Sequence, residues 1–387
     1  MIKLPDDDGK LTAYQPNPAP RARVAGDGPP HSRVLIAAAH VVVDPSAANE
    51  PFGQPVLDWD ATLAFRRHLW SEGLCVAEAL DTAQRGMGLD WGTAAELIRR
   101  TGAEAKAVGG RLVAGVWTDH IDPATRSLDD IAAAYEQQLE VVDAAGAQAI
   151  VLSSRQLAAA ATSVDDYASV YGRLLRQASK PMILHWVGAE WDPELAGYWG
   201  SGDPDTAMDN FLAIVTEHHD KVDGVKVAPL PFEREVELRR RLPKGVRCYT
   251  GDDFSYPQLM AGDGGTNSDA LLGVLDPLAA IAADAVRKLD DGDAVGFRAL
   301  LDPTVELSGH LFEGPGMNIR FYKTGFVFLA WLAGHQDHFR MIWGEQAARS
   351  VPHLAKAYRL ADGLGLFPDP ELAERRMRAV LATVGLD

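Results

Sequence analysis

Short β-branched or apolar runs recur along the chain, each followed by an amphipathic stretch. They are RVLIAAAHVVVD from Arg33, GLCVAEALDT from Gly73, RLVAGVWTD from Arg111, AQAIVLSS from Ala147, PMILHWVG from Pro181, VDGVKVA from Val222, GVRCYTGDD from Gly245 and GTNSDALL from Gly265. The first six begin roughly 35–40 residues apart, one strand–helix unit each, and the last two roughly 20 apart. Between them lie helix signals. LDWDATLAFRRHLWSEG offers Asp58 or Asp60 as N-cap and Gly73 as terminator. SLDDIAAAYEQQLEVVDAAG offers Ser127 as N-cap and Gly146 as stop, with Leu128, Ile131, Tyr135, Leu139 and Val142 at helical spacing.

Strand runs buried on both faces, alternating with helices, predict a parallel α/β sheet. Eight units favour closure into a (β/α)8 TIM barrel. An open doubly wound sheet would carry a Gly-rich phosphate turn after its first strand, and His40–Asp44 reads HVVVD instead. After Asp276 the pattern is all helical. The expected organisation is therefore an N-terminal arm over 1–32, a barrel over 33–292 and a C-terminal helical extension over 293–387. The arm, with PNPAP and GDGPP and little periodicity, reads as extended, either disordered or clasping a partner subunit. FYKTGFVFLAWLAGH reads as an apolar helix packed on the barrel, and EGPGMNIRFYK as a loop.

Composition narrows the function classes. The formal charge of −17 argues against binding nucleic acid or an anionic membrane surface. Two cysteines, Cys75 and Cys248, exclude a disulfide framework and a Cys-rich zinc module. No apolar run has the roughly 18 residues of a membrane helix, and MIKLPDDDGK carries no apolar signal core. A cytoplasmic enzyme acting on a small molecule is expected.

In a TIM barrel the chemistry lies at the C-terminal strand ends. His40, Asp81, Thr82, Thr118, Asp119, His185, Lys226 and Asp252 are the polar residues expected there. Lys226 is singular, because Val225 and Val227 flank it inside a strand. A barrel-lining ammonium is desolvated unless paired, and a lysine with a lowered pKa attacks ketones and aldehydes. A second constellation, His40, Asp81, His120 and His185, suits Zn, Mn or Fe(II). It would make the protein a metal-dependent sugar isomerase, aldolase or hydrolase. A third reading is a non-catalytic sugar-binding barrel.

Taken in order, several segments resemble the dihydrodipicolinate synthase / N-acetylneuraminate lyase family. RLVAGVWTD is similar to that family's P-V-I-A-G-V run, KPMILHWVG to L-P-V-I-L-Y-N, DGVKVA to the Schiff-base motif G-I-K-x-S, and CYTGDD to its G-D-D/E segment. The resemblance spans roughly residues 33–335 and implies class I aldolase or lyase chemistry without a cofactor or metal. Lys226 would be the Schiff-base nucleophile. A homodimer or homotetramer is implied too. Two departures matter. Leu80-Asp81-Thr82-Ala83-Gln84 stands where the family has G-T-T-G-E, and Asp81 would repel a substrate carboxylate. His185 stands where the family has a proton-relaying tyrosine, a role histidine can fill. Asp81 and Thr82 would then hold substrate hydroxyls, as in a keto-sugar-like compound.

Overall fold

Every one of the eight apolar runs becomes a strand in the computed structural model, which describes residues 1–26, 28–228, 231–314 and 320–386. The barrel strands are β3 (Leu35–Ala38), β4 (Cys75–Glu78), β5 (Leu112–Val116), β6 (Gln148–Val151), β7 (Met182–Val187), β8 (Val222–Ala228), β9 (Arg247–Thr250) and β10 (Asp269–Leu272). They are parallel and close in the order β10-β3-β4-β5-β6-β7-β8-β9. Two strands precede them, β1 (Ile2–Pro5) and β2 (Leu11–Tyr14), paired antiparallel.

Period-two alternation divides the barrel strands into two layers. Ile36, Ala38, Cys75, Ala77, Val113, Ile150, Ile183, Tyr249 and Leu271 fill the interior. Their neighbours Leu35, Ala37, Val76, Ala114, Leu184 and Val225 join the larger core under the helices. Asp58 and Ser127 are the N-caps expected of them. Asp58 accepts from the Ala61 amide ahead of the helix Trp59–Ser71, and Ser127 from the Asp130 amide ahead of Leu128–Ala144.

Beyond the eighth barrel helix, Leu275–Asp290, come the helices Ala294–Leu301, Thr304–Phe312, Tyr322–Leu332, Val351–Gly363 and Pro370–Thr383. Tyr322–Leu332 is the apolar helix foreseen, with ten of its eleven residues buried. The loop expected in EGPGMNIRFYK lies in part outside the described residues.

The first 14 residues differ from an extended or disordered arm. Ile2 and Leu4 are buried, and the hairpin packs against Val351–Gly363 of its own chain. Arg359 donates to the carbonyls of Leu4 and Pro5, and the Tyr14 hydroxyl donates to Asp362 at 2.7 Å. Arg21 and Arg23 both reach Asp284, a fully buried carboxylate in Leu275–Asp290. Sequence periodicity missed the hairpin because each strand is only four residues long. Its docking surface lies more than 300 residues away, as the Tyr14–Asp362 bond shows.

Where the C-terminal helices meet Trp59–Ser71, the rings of His68 and His335 stack at 4.0 Å. Burial, then the neighbouring His68 and His40, push His335 down to about 3. An unfolded histidine titrates near 6.5, so between the two values the unfolded chain holds more protons. Stability contributed by neutral His335 is present above about 6.5 and is lost as pH falls towards 3. Thermal melts from pH 7 to 4 should show a falling Tm, with a shallower fall in His335→Gln. An equal slope in both proteins would remove His335 as the cause.

Candidate active site

Val225 and Val227 point at the outer helices, so Lys226 between them points into the barrel. The β7–β8 register sets His185 beside it, and Leu184 and Trp186 pack outward, which turns His185 inward too. Both lie near the C-terminal ends of their strands and line a cavity of about 620 Å³. Gly251 makes room for the lysine. A Cβ there would sit 2.6 Å from the Ala228 Cβ and 3.0 Å from the Lys226 Cε.

Asp81, Asp253 and Tyr322 line the same cavity. Burial lowers the Lys226 ammonium below the usual lysine range, while Asp81 and Asp253 pull it back up. Burial raises Asp253 to about 7, against the pull of Lys226. A lysine and a carboxyl displaced towards each other can exchange a proton at small cost. The Tyr322 hydroxyl donates to Asp81, and burial and that carboxylate raise the phenol well above its usual range. His185 is kept neutral by burial and by Lys226, and neither ring nitrogen has a hydrogen-bond partner.

The loop that carries Asp81 is conformationally demanding. Ala79 and Gln84 both adopt left-handed backbone, with φ of 53° and 62°, which non-glycine residues seldom do. Arg85 and Gln84 hold them there. Arg85 donates to the carbonyl of Gly115 at 2.8 Å, to both Asp119 oxygens and to Gln138. Gln84 donates to Glu345 at 2.9 Å.

Of the residues expected at the strand ends, Lys226, His185, Asp81 and Asp119 line the cavity. Asp119 faces it already committed. Burial alone would raise its carboxyl, but the bidentate Arg85 bond holds it below the usual range. Thr82 lies just behind, its hydroxyl 3.4 Å from that of Tyr322. Three placements need correction. His40 is turned away from the cavity, with its ring bonded to Asp276 and Gln336 at 2.8 Å each. β3 ends at Ala38, so strand alternation no longer governs His40. Thr118, two residues past the end of β5, is fully buried against Ser154 and Gln156. Asp252 folds back to accept from the amides of Phe254 and Ser255, and the next residue, Asp253, takes the inward position.

The metal-ligand set expected from His40, Asp81, His120 and His185 does not assemble. His120 bonds Gln137 and Gln138, and His40 is held as above. Among the described residues, the one cluster with ligand spacing is His310, Glu313 and His353, in the helical extension.

Asp253 and Tyr322 are the site residues that strand-end reasoning failed to single out. Asp253 carried a signal, as the second of two acidic residues after β9. Tyr322 carried none, since it opens a helix 241 residues beyond Asp81.

A family model described as "Protein of unknown function (DUF993)" matches residues 2–386. No curated protein matches the chain in sequence. Solved structures do match in fold. One is a prophage protein of the dihydrodipicolinic acid synthase family from E. coli K12, in complex with pyruvate. It has a TM-score of 0.66 and 13% identity, covering 86% of this chain and 99% of that one. Dihydrodipicolinate synthase from Bacteroides thetaiotaomicron gives 0.64 and 14%, covering 84% and 98%. The Thermotoga maritima synthase gives 0.63 and 12%, covering 87% and 100%. At these identities the likeness establishes the barrel fold.

Proposed function

The chain belongs to the family described as "Protein of unknown function (DUF993)", and from the site it builds we propose that it is a Schiff-base-forming lyase or aldolase of the class I type. Its substrate is a small ketone, and keto acids and keto-sugar-like compounds are the first to try. One observation carries the reading. The Lys226 amine is buried in a cavity of ligand size, with its pKa lowered by burial and two carboxyls within its field. Fold similarity to dihydrodipicolinate synthases supports it at the level of architecture.

The chemistry follows from the groups present. Neutral Lys226 Nζ attacks the carbonyl carbon, and its proton passes to the oxygen to give a carbinolamine. Asp253, titrating near 7, protonates the hydroxyl, which leaves as water, and the iminium remains. The iminium then draws the electron pair from a bond one carbon away, which breaks to leave an enamine. His185 takes the proton from the substrate hydroxyl released in that cleavage. Asp81, oriented by Tyr322, holds a further hydroxyl. Asp81 disfavours a free carboxylate next to the reacting carbonyl, which makes an α-keto acid the weaker of the two classes.

Sodium borohydride added with a ketone substrate should give a stable secondary amine on Lys226, read by intact mass and peptide mapping. Absence of any adduct across keto acids, keto-sugars and simple ketones would defeat the proposal. A homodimer or homotetramer belongs to the same reading, and light scattering would check it; a monomeric mass would contradict it. Tyr322→Phe should lower turnover about tenfold, the scale of one lost positioning hydrogen bond. An unchanged kcat would show that Asp81 needs no such support.

A further inference from the structure

Resting on the reading of Lys226 as a Schiff-base nucleophile, we infer that the substrate beyond its carbonyl is an apolar, ring-sized body rather than a carboxylate or a polyol. The first ground is size. Pockets of roughly 300–1,000 Å³ take drug-sized ligands, and the cavity holds about 620 Å³, far more than a three-carbon keto acid fills. The second is the wall. Besides the polar groups around Lys226 it is lined by Trp117, Trp191, Leu195 and Phe312 among others, with Trp191 edge-on to Phe312 at 6.0 Å.

The third ground is that most polar groups in this part of the wall are already engaged, the exceptions being the Trp191 indole N–H, buried without a partner, and Arg126, which donates to the carbonyls of Pro123 and Thr125 but is in no ion pair. Arg85 uses its guanidinium on Asp119, Gln138 and the Gly115 carbonyl. Arg155 is paired with Asp192 and Glu194. Gln156 is bonded to Thr118, and the Trp117 indole donates to the Ser153 carbonyl. A polyol in this space would find one unpartnered donor, the Trp191 indole, and would otherwise have to compete with these bonds, and a hydroxyl left without a partner is costly to desolvate. A carboxylate would find only one arginine outside an ion pair among the described lining residues, the solvent-exposed Arg126. An apolar ring asks for neither, and ring faces and edges suit the tryptophans and Phe312.

Borohydride trapping against four ketones tests this: acetone, pyruvate, dihydroxyacetone and benzylacetone. The half-trapping concentration for benzylacetone should be about tenfold or more below those for pyruvate and dihydroxyacetone, as expected for burying a phenyl ring. Trp117→Ala and Trp191→Ala should each shrink the preference for benzylacetone over acetone about fivefold. The wild-type series stands by itself if either variant fails to fold. Pyruvate or dihydroxyacetone trapping as readily as benzylacetone would overturn the inference and leave the Schiff-base reading intact. Isothermal titration of Lys226→Ala with benzylacetone and pyruvate separates the other case. Preferential benzylacetone binding there, with no adduct in the wild type, would support the apolar site and defeat the Schiff base. No preference in either experiment would defeat the inference.

Discussion

Lys226→Arg should abolish the borohydride adduct and reduce turnover by roughly 10⁴-fold or more, the scale seen when a nucleophile is removed. Arginine keeps a positive charge between Asp81 and Asp253 but stays protonated in any protein environment. It therefore has no lone pair for a carbonyl carbon. Its planar fork is also larger than an ammonium. Gly251, whose missing Cβ makes room for the lysine stem, gives some space for it. The variant should remain folded, because its charge still answers the two carboxyls. Far-ultraviolet circular dichroism and a melt would confirm that. Near-normal turnover in a folded Lys226→Arg protein would end the Schiff-base reading.

Glu78→Ala should cost about 3–5 kcal/mol of stability, the penalty for leaving one member of a buried ion pair unpaired. Arg66 and Glu78 are both completely buried between β4 and the helix Trp59–Ser71. The guanidinium grips both carboxylate oxygens, at 2.7 and 3.0 Å, and Thr101 adds a third bond to Glu78 at 2.7 Å. Without Glu78 the guanidinium keeps only the carbonyls of Thr62 and His40. Domains are typically stable by about 5–15 kcal/mol, so the loss is a large fraction. Arg66→Met combined with Glu78→Leu should recover at least half of it, because no charge is then left in the core. Urea unfolding would show the loss as a lower midpoint at constant m. A Glu78→Ala loss below about 1 kcal/mol would mean that the pair is solvated or replaceable.

The inward set of a strand can be read from the chain as long as the residue lies within the strand. Lys226 and His185 sit inside β8 and β7, and period two alone turned them into the barrel. Asp81 follows β4 by three residues, and it reaches the cavity because Ala79 and Gln84 hold a left-handed turn that nothing in LDTAQ announces. His40, Thr118 and Asp252 lie at similar distances past their strands and turn elsewhere. Local partners decide each of them: Asp276 and Gln336 for His40, Ser154 and Gln156 for Thr118, the amides after β9 for Asp252.

The sequence by itself therefore determined the count of barrel strands, the parallel barrel and the two inward groups, because apolar periodicity and chain connectivity are local properties. Tertiary structure decided the rest. It replaced Asp252 by Asp253 through the path of one loop. It brought Tyr322 from the helical extension to Asp81 and laid the N-terminal hairpin on the last helices. Each of those contacts joins residues with no periodic relation along the chain. Their energies come from burial and pairing that exist only once the barrel has closed.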